Sequence, residues 1–590
     1  NWLMYAGLAM DCIHDYLTPE ERQIIAAGAF QPLVDYFTKD LHAWFDLIHN
    51  HAVYACAGVG IVGIATDRPE YLEMALKGSD LKGKSGFLAQ MNGLFSPDGF
   101  YHEGPYYTRY AILPFYLFAN AIDHVKPEMK IFAYRDSILK KALYVALQQT
   151  NLDGIFFSYN DALKDKSYIS GEVIYAVDLA AQYYGKDTSL LAVAQQQNKV
   201  VMCAGGEAIS KTLTLHPNKK YHFGYRSAVY SDGAEGDQGG LSVLRSSSGN
   251  DLSTLICKYT SHGLSHGHFD KLNIQFFDKG HEILQDYGAV RYINIEQKWG
   301  GRYLKETDSY AKQTIAHNTI TVDETSHYNG NEAASEAHHP VELFSDIQGK
   351  NVKAVSAVDT TAYKGVKLHR TDYLIDLPGS KKRLIIDLFR IMSSQSHQYD
   401  LPFNYAGTLI KTNFKYNNFD TALTTLGHQN GYQHIWKLAE AKSVSPFTQF
   451  TFLNHQTFYT ISSLASDRPD AFLTSSGASD PDFNLRKEPS YILRGSGNDF
   501  TFINVIERHG SFSPVTEIAT TSYPHISSIR KMEDNDQLTV TEIEIDKDVL
   551  LLIQCNTTTN KIITHHYEYK GTHLTWTGPY FIMFKDQIIK

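Results

Sequence analysis

The feature that most constrains this chain is a change of texture near Gly205-Gly206. Before it, apolar residues recur with a helical period over 107–125, 138–150 and 169–184, separated by turns such as Asp67-Arg68-Pro69-Glu70 and Ser96-Pro97-Asp98-Gly99. Thr18-Pro19-Glu20-Glu21 reads as a helix start, with Thr18 as N-cap, Pro19 in the first helical position and Glu21 completing a capping box. After the break, runs of Val, Ile, Thr, Tyr and Phe are interrupted by Gly, Asn and Asp, as at 272–278, 318–323, 384–390 and 538–545. Helices followed by a long succession of strands specify an α+β chain with separate domains, and 590 residues exceed what one hydrophobic core organises. The expected division is a helical domain over 1–205, a β-sheet domain over 206–480 and a C-terminal β-rich region over 481–590. The second boundary is drawn at a cluster of Ser, Gly, Pro and Asp.

Charge narrows the partners. The net charge is -10 and no dense Lys/Arg run occurs, so the footprint that nucleic acid requires is missing. An anionic polysaccharide needs only a local basic cleft, which the total charge does not report. The 38 Tyr and 31 Phe suit stacking on sugar rings, although cores and strands use the same residues. Five cysteines stand far apart without a CxxC pair, which reads as buried thiols. No apolar run approaches the roughly 18 residues of a membrane span. The chain opens at Asn1 directly into an amphipathic helical pattern, so a leader and further helices are expected upstream.

Three clusters carry candidate chemistry. Asn50-His51 enters a helix of small residues, where an amide and an imidazole serve either as cap and core histidine or as donors to a carboxylate. In the run from Asp98 to Tyr110, Pro105 starts a helix, which puts Tyr107 and Tyr110 on one face with Arg109 beside them. A phenol near a guanidinium and a helix N-terminus has its anion favoured, as a base requires; the alternative is an aromatic core stripe. The third cluster is Ser265-His266-Gly267-His268, followed by Asp286, Arg291, Tyr303 and His317. On a strand, His266 and His268 would face one side. His268, Asp286 and His317 are a sound donor set for zinc, though their separations match no local zinc motif. Arg291 and Tyr303 sit in Gly-rich loop contexts, where functional groups tend to be exposed.

Together these stretches resemble the family-17 polysaccharide lyases, the oligoalginate lyases within the heparinase II/III-like group. The resemblance rests on Asn50-His51, the run from His102 to Tyr110, Ser265-His266-Gly267-His268, and the run from Gln285 to Tyr328. The last contains Asn294-Ile295-Glu296-Gln297-Lys298, Gly300-Gly301-Arg302-Tyr303-Leu304 and Ala311-Lys312-Gln313-Thr314-Ile315-Ala316-His317-Asn318-Thr319. It implies an incomplete (α/α) toroid followed by an antiparallel, sandwich-like β-sheet domain, with a cleft between them. It also implies β-elimination on alginate chains, often exolytic, in a periplasmic or secreted protein.

Such chemistry needs a neutralised uronate carboxylate, a base for the C5 proton and an acid for O4. By resemblance, Asn50, His51 and Arg109 handle the carboxylate, Tyr107 is the main base and acid, and Tyr303 and His266 assist or replace it for the opposite stereochemistry. Tyr110 and Arg291 hold the sugar. The resemblance also makes His268, Asp286 and His317 a zinc site of structural role. Alternatives are a glycosaminoglycan lyase of the same fold, a hydrolase using Glu103 and Asp98 as paired carboxylates, and a noncatalytic uronan-binding protein. A homodimer is one state of assembly left open.

Overall fold

Small residues decide how the helices of the first half pack. The computed structural model describes residues 1–248, 251–292, 303–380, 382–479, 485–557 and 563–590. They form two compact units: Asn1–Phe157 with Ala162–Tyr225 and Tyr230–Gln238, and Ser158–Asp161 with Arg226–Val229 and Gly239–Lys590.

In the helical unit the Thr18 box forms as read: Thr18 Oγ1 accepts from the Glu21 N–H at 3.2 Å and Glu21 Oε2 from the Thr18 N–H at 2.8 Å. The Asn50–Ala65 helix, rich in Ala, Gly and Val, is buried almost all round. A Cβ on Gly60 would overlap the Phe118 ring, so glycine sets the close approach of this helix to the Pro105–Val125 helix. Tyr54 Oη donates to Tyr110 O at 2.9 Å, one contact earlier along both helices, so the two run parallel. Arg109 meets Glu172 at 2.9 Å and Tyr183 meets Asn120 at 2.8 Å, which makes the Gly171–Tyr184 helix parallel to them as well. The N-termini of all three helices therefore lie at one end, with their dipoles favouring negative charge there.

The helical part runs past the expected boundary. A helix spans Ala204–Leu215, and Gly205-Gly206 lies inside it. The glycines are there for packing: side chains on them would collide with the Asp178 and Val201 carbonyls. The texture break read a packing contact as a domain edge.

The β unit is built from antiparallel ladders. A nine-stranded sheet has Phe500–Ser513, Arg383–Ser393 and Val366–Asp376 at its centre. Alternation along Arg383–Ser393 serves two cores: Ile385, Phe389 and Ile391 enter one, Leu384, Ile386 and Leu388 the other. The first core joins this sheet to the six-stranded sheet and to the sheet of Gly239–Ser248, Asp251–Thr260, Asn273–Asp278 and His281–Leu284. The second joins it to a five-stranded sheet that begins at Ile526–Asp534. The described residues on either side of 480 belong to one fold: Asp470–Ser476 pairs with Pro489–Gly497, and Phe500–Ser513 belongs to the large sheet. Residues 480–484 themselves lie outside the described residues. The sequence 538–545 is a strand as read, whereas 318–323 contributes only Thr321–Val322.

A buried ion pair lies within the first core. Arg370, 2% exposed, binds Asp387 through two bonds of 2.9 Å and donates from Nη1 to the carbonyls of Leu272 and Asn318. Burial pushes the nearby Asp372 carboxyl up to about 7. Replacing Arg370 with Ala leaves Asp387 buried and unpaired, so chemical denaturation should show a loss of about 3–5 kcal/mol. A loss under about 1 kcal/mol, the value of an exposed pair, would mean that water reaches this site.

Candidate active site

In the helical unit the candidate groups gather at the common N-terminal end. His49, not Asn50, caps the Asn50–Ala65 helix, its Nδ1 accepting from the His51 N–H at 3.2 Å. Asn50 is thereby turned inward, fully buried, and neither side-chain atom finds a hydrogen-bond partner among the described residues. An orphaned amide costs about 1–3 kcal/mol, which a polar ligand can recover. His51 stands 6.5 Å from the Trp44 ring and 6.1 Å from Tyr110. These three, with Trp2, Phe37 and Tyr54, line a cleft of about 450 Å³. Tyr107 occupies the first turn of the Pro105–Val125 helix, half-buried, its ring edge-on to Tyr106 at 5.0 Å. Tyr107 and Tyr110 lie three residues apart on that helix, a spacing that helix geometry puts on one face.

Arg109 differs from the expectation. It is buried, ion-paired with Glu172 at 2.9 Å and stacked over Tyr106, so it is not an uncommitted charge beside Tyr107. The parallel helices bring Glu172 to it, a partner 63 residues away that local spacing does not reveal.

In the β unit His266 and His268 do not lie on a strand. His266 ends a 3-10 turn, Leu264–His266, and His268 follows outside any strand. They meet at one carboxylate all the same: Asp161 Oδ2 lies 3.1 Å from His266 Nδ1 and Oδ1 lies 3.2 Å from His268 Nε2. Burial opposes ionisation of Asp161, but the two imidazoles outweigh it and hold its carboxyl well below the usual range. An ionised carboxylate only accepts, so the protons sit on those two nitrogens.

His268, Asp286 and His317 come together, fully buried, and each offers a donor atom within 4.8 Å of the others'. His268 Nδ1 and His317 Nε2 have no hydrogen-bond partner among the described residues. Burial resists the Asp286 charge, yet His317, His268 and the Gly288 N–H keep its carboxyl well below the usual range. Asn273 Nδ2 donates to Asp286 at 2.8 Å, and its Oδ1 accepts from the Asn318 N–H at 2.9 Å. Orphaned imidazole nitrogens beside a buried anion fit a metal cation, with an oriented second layer behind them. Thr314 Oγ1, donating to Phe269 O at 2.7 Å, pins the segment before His317 to the residue after His268.

Tyr303 is 66% exposed, and Arg291 is partly exposed with its carbonyl accepting from the Arg486 N–H at 3.1 Å. Residues 293–302, which hold Asn294-Ile295-Glu296-Gln297-Lys298 and Gly300-Gly301-Arg302, lie outside the described residues.

Sequence reasoning missed Asp161, Asn273 and Glu172. Asn273 had a usable signal, since Asn273 and Gln275 are polar at alternate positions of a strand buried throughout. Asp161 had none beyond the turn-forming pair Asn160-Asp161.

The description "Heparinase II/III-like, C-terminal" fits residues 229–520. The chain is 36% identical, over 98% of its length and 78% of the relative's, to an exo-oligoalginate lyase of Saccharophagus degradans. It is 38% identical, over 97% and 77%, to an alginate lyase of Stenotrophomonas maltophilia. Among solved structures, a heparinase III superposes with a TM-score of 0.61 at 12% identity, covering 92% of this chain and 76% of that one. The heparan sulfate lyase HepC of Pedobacter heparinus gives 0.57 at 14%, covering 86% and 66%. At such identities these two establish a shared fold and nothing further.

Proposed function

Because this chain belongs to the family-17 polysaccharide lyases, the oligoalginate lyases of the heparinase II/III-like group, we propose that it degrades alginate or its oligosaccharides by β-elimination, acting from chain ends. The observation that carries this reading is the grouping of Asn50, His51 and Tyr107 at the common N-terminal end of parallel helices. Donors and positive helix ends assembled there suit a uronate whose carboxylate takes up charge as the C5 proton leaves.

Tyr107 accepts the C5 proton, the C5–H electrons form the C4–C5 double bond, and the C4–O4 bond breaks with a proton delivered to O4. In mannuronate the C5 hydrogen and O4 share one ring face, so one tyrosine serves both transfers. Asn50 and His51 bind the carboxylate, and Arg109 contributes as the paired guanidinium of the Glu172 bridge. Tyr110 and Arg291 hold the sugar, while His266 and Tyr303 take part for the opposite stereochemistry. His268, Asp286 and His317 hold a zinc ion, which when bound supplies fixed positive charge and cross-links the segments carrying them. The reading includes export to the periplasm or medium, which fractionation of producing cells tests.

The activity test is incubation with polymannuronate, polyguluronate, hyaluronan and heparan sulfate, following the ultraviolet absorbance of the unsaturated product. Absorbance should rise with an alginate substrate, with unsaturated monouronate appearing from the start. A rise only with heparan sulfate or hyaluronan would transfer the chain to glycosaminoglycans. Chain shortening without absorbance would mean hydrolysis.

A further inference from the structure

The segment Ser158–Asp161 groups with the β unit although it lies among helices in the sequence. It is tightly built. Asn160 adopts a left-handed backbone, φ 60°, which asparagine tolerates. Its Oδ1 accepts from the buried Lys258 ammonium at 2.6 Å, and that ammonium also binds Asp270 through contacts of 2.7 Å. The Asp161 N–H donates to the His266 carbonyl at 3.1 Å, and Ser158 Oγ donates to Glu282 at 3.1 Å. Asp161 itself is 2% exposed. Backbone and side chain thus aim this one carboxylate at two imidazoles two residues apart.

We infer that Asp161 is a positioning residue that ties the metal centre to His266, fixing the ring orientation of both histidines at once. Its Oδ1 holds His268 by Nε2, which leaves Nδ1, without a hydrogen-bond partner among the described residues, as the nitrogen that His268 can offer to a set with Asp286 and His317. Its Oδ2 holds His266 by Nδ1, which fixes the plane of that ring as well. An amide in its place could accept from one ring only and would present its NH₂ to the other. This inference rests on the metal and His266 roles proposed above.

The test compares wild type, Asp161→Asn, Asp161→Ala, His268→Ala and His266→Ala. Metal content after dialysis, zinc affinity by chelator competition, and kcat and KM at saturating zinc are measured. Asp161→Asn should bind zinc about 10–100-fold more weakly. Its kcat should stay at least about tenfold low when zinc is restored, with KM within about twofold, as expected when only transition-state geometry is lost. Asp161→Ala, if soluble where the amide variant is not, should show the same pair of losses and recover kcat on addition of formate. Wild-type zinc affinity in both variants, or full kcat at saturating zinc, overturns the inference. The underlying reading fails separately: metal retained by His268→Ala removes the metal role, and unchanged kcat in His266→Ala removes the catalytic one.

Discussion

Tyr107→Phe should leave a folded protein whose turnover is lower by about 10²–10⁴-fold, the span expected when a positioned acid–base group is removed. The variant deletes one oxygen from a half-buried ring in the first turn of the Pro105–Val125 helix and keeps the edge-on packing with Tyr106. Its melting temperature should therefore match wild type. Tyr106→Phe and Tyr110→Phe are the comparisons. Tyr106 packs against Arg109, and Tyr110 lines the aromatic cleft beside His51, so their loss should change KM more than kcat. Near-normal turnover in Tyr107→Phe, or its collapse in Tyr106→Phe instead, would move the base to another phenol.

His268→Ala should abolish zinc binding and lower stability and activity together. The ring is fully buried, with Nδ1 lacking a hydrogen-bond partner among the described residues and Nε2 held by Asp161. Its removal deprives the set of one of two imidazoles and leaves Asp286 with a poorer electrostatic match. A ligand that binds only the folded state stabilises it by about 2.7 kcal/mol when its free concentration is 100 times Kd. At such a zinc concentration wild type should lose roughly that much on chelation, whereas His268→Ala should not respond to chelator at all. The contrast separates a metal effect from a packing effect, because a cavity at residue 268 would lower the melting temperature without changing the response to chelator. A wild-type protein free of zinc after expression in zinc-replete medium, with no shift on adding it, would leave the trio as hydrogen-bonded core residues.

Whatever depends on neighbours along the chain is legible without the fold. The order of helices before strands, the capping box at Thr18 and Glu21, and the strand Leu538–Ile545 follow from periodicity and local hydrogen bonding, and they stand as read. His268, Asp286 and His317 are a sound donor set by residue type, but it was the family resemblance that singled them out among the chain's histidines and aspartates, and the structure brings them together. Pairings across long separations become visible only in the folded chain. Asp161 reaches His268 across 107 residues, and Glu172 takes up Arg109 across 63. The Gly205-Gly206 pair marks a close helix contact, and no domain edge falls there. A residue's partner in a buried ion pair or a glycine contact is set by which surfaces the cores bring into register, and local sequence does not encode that register.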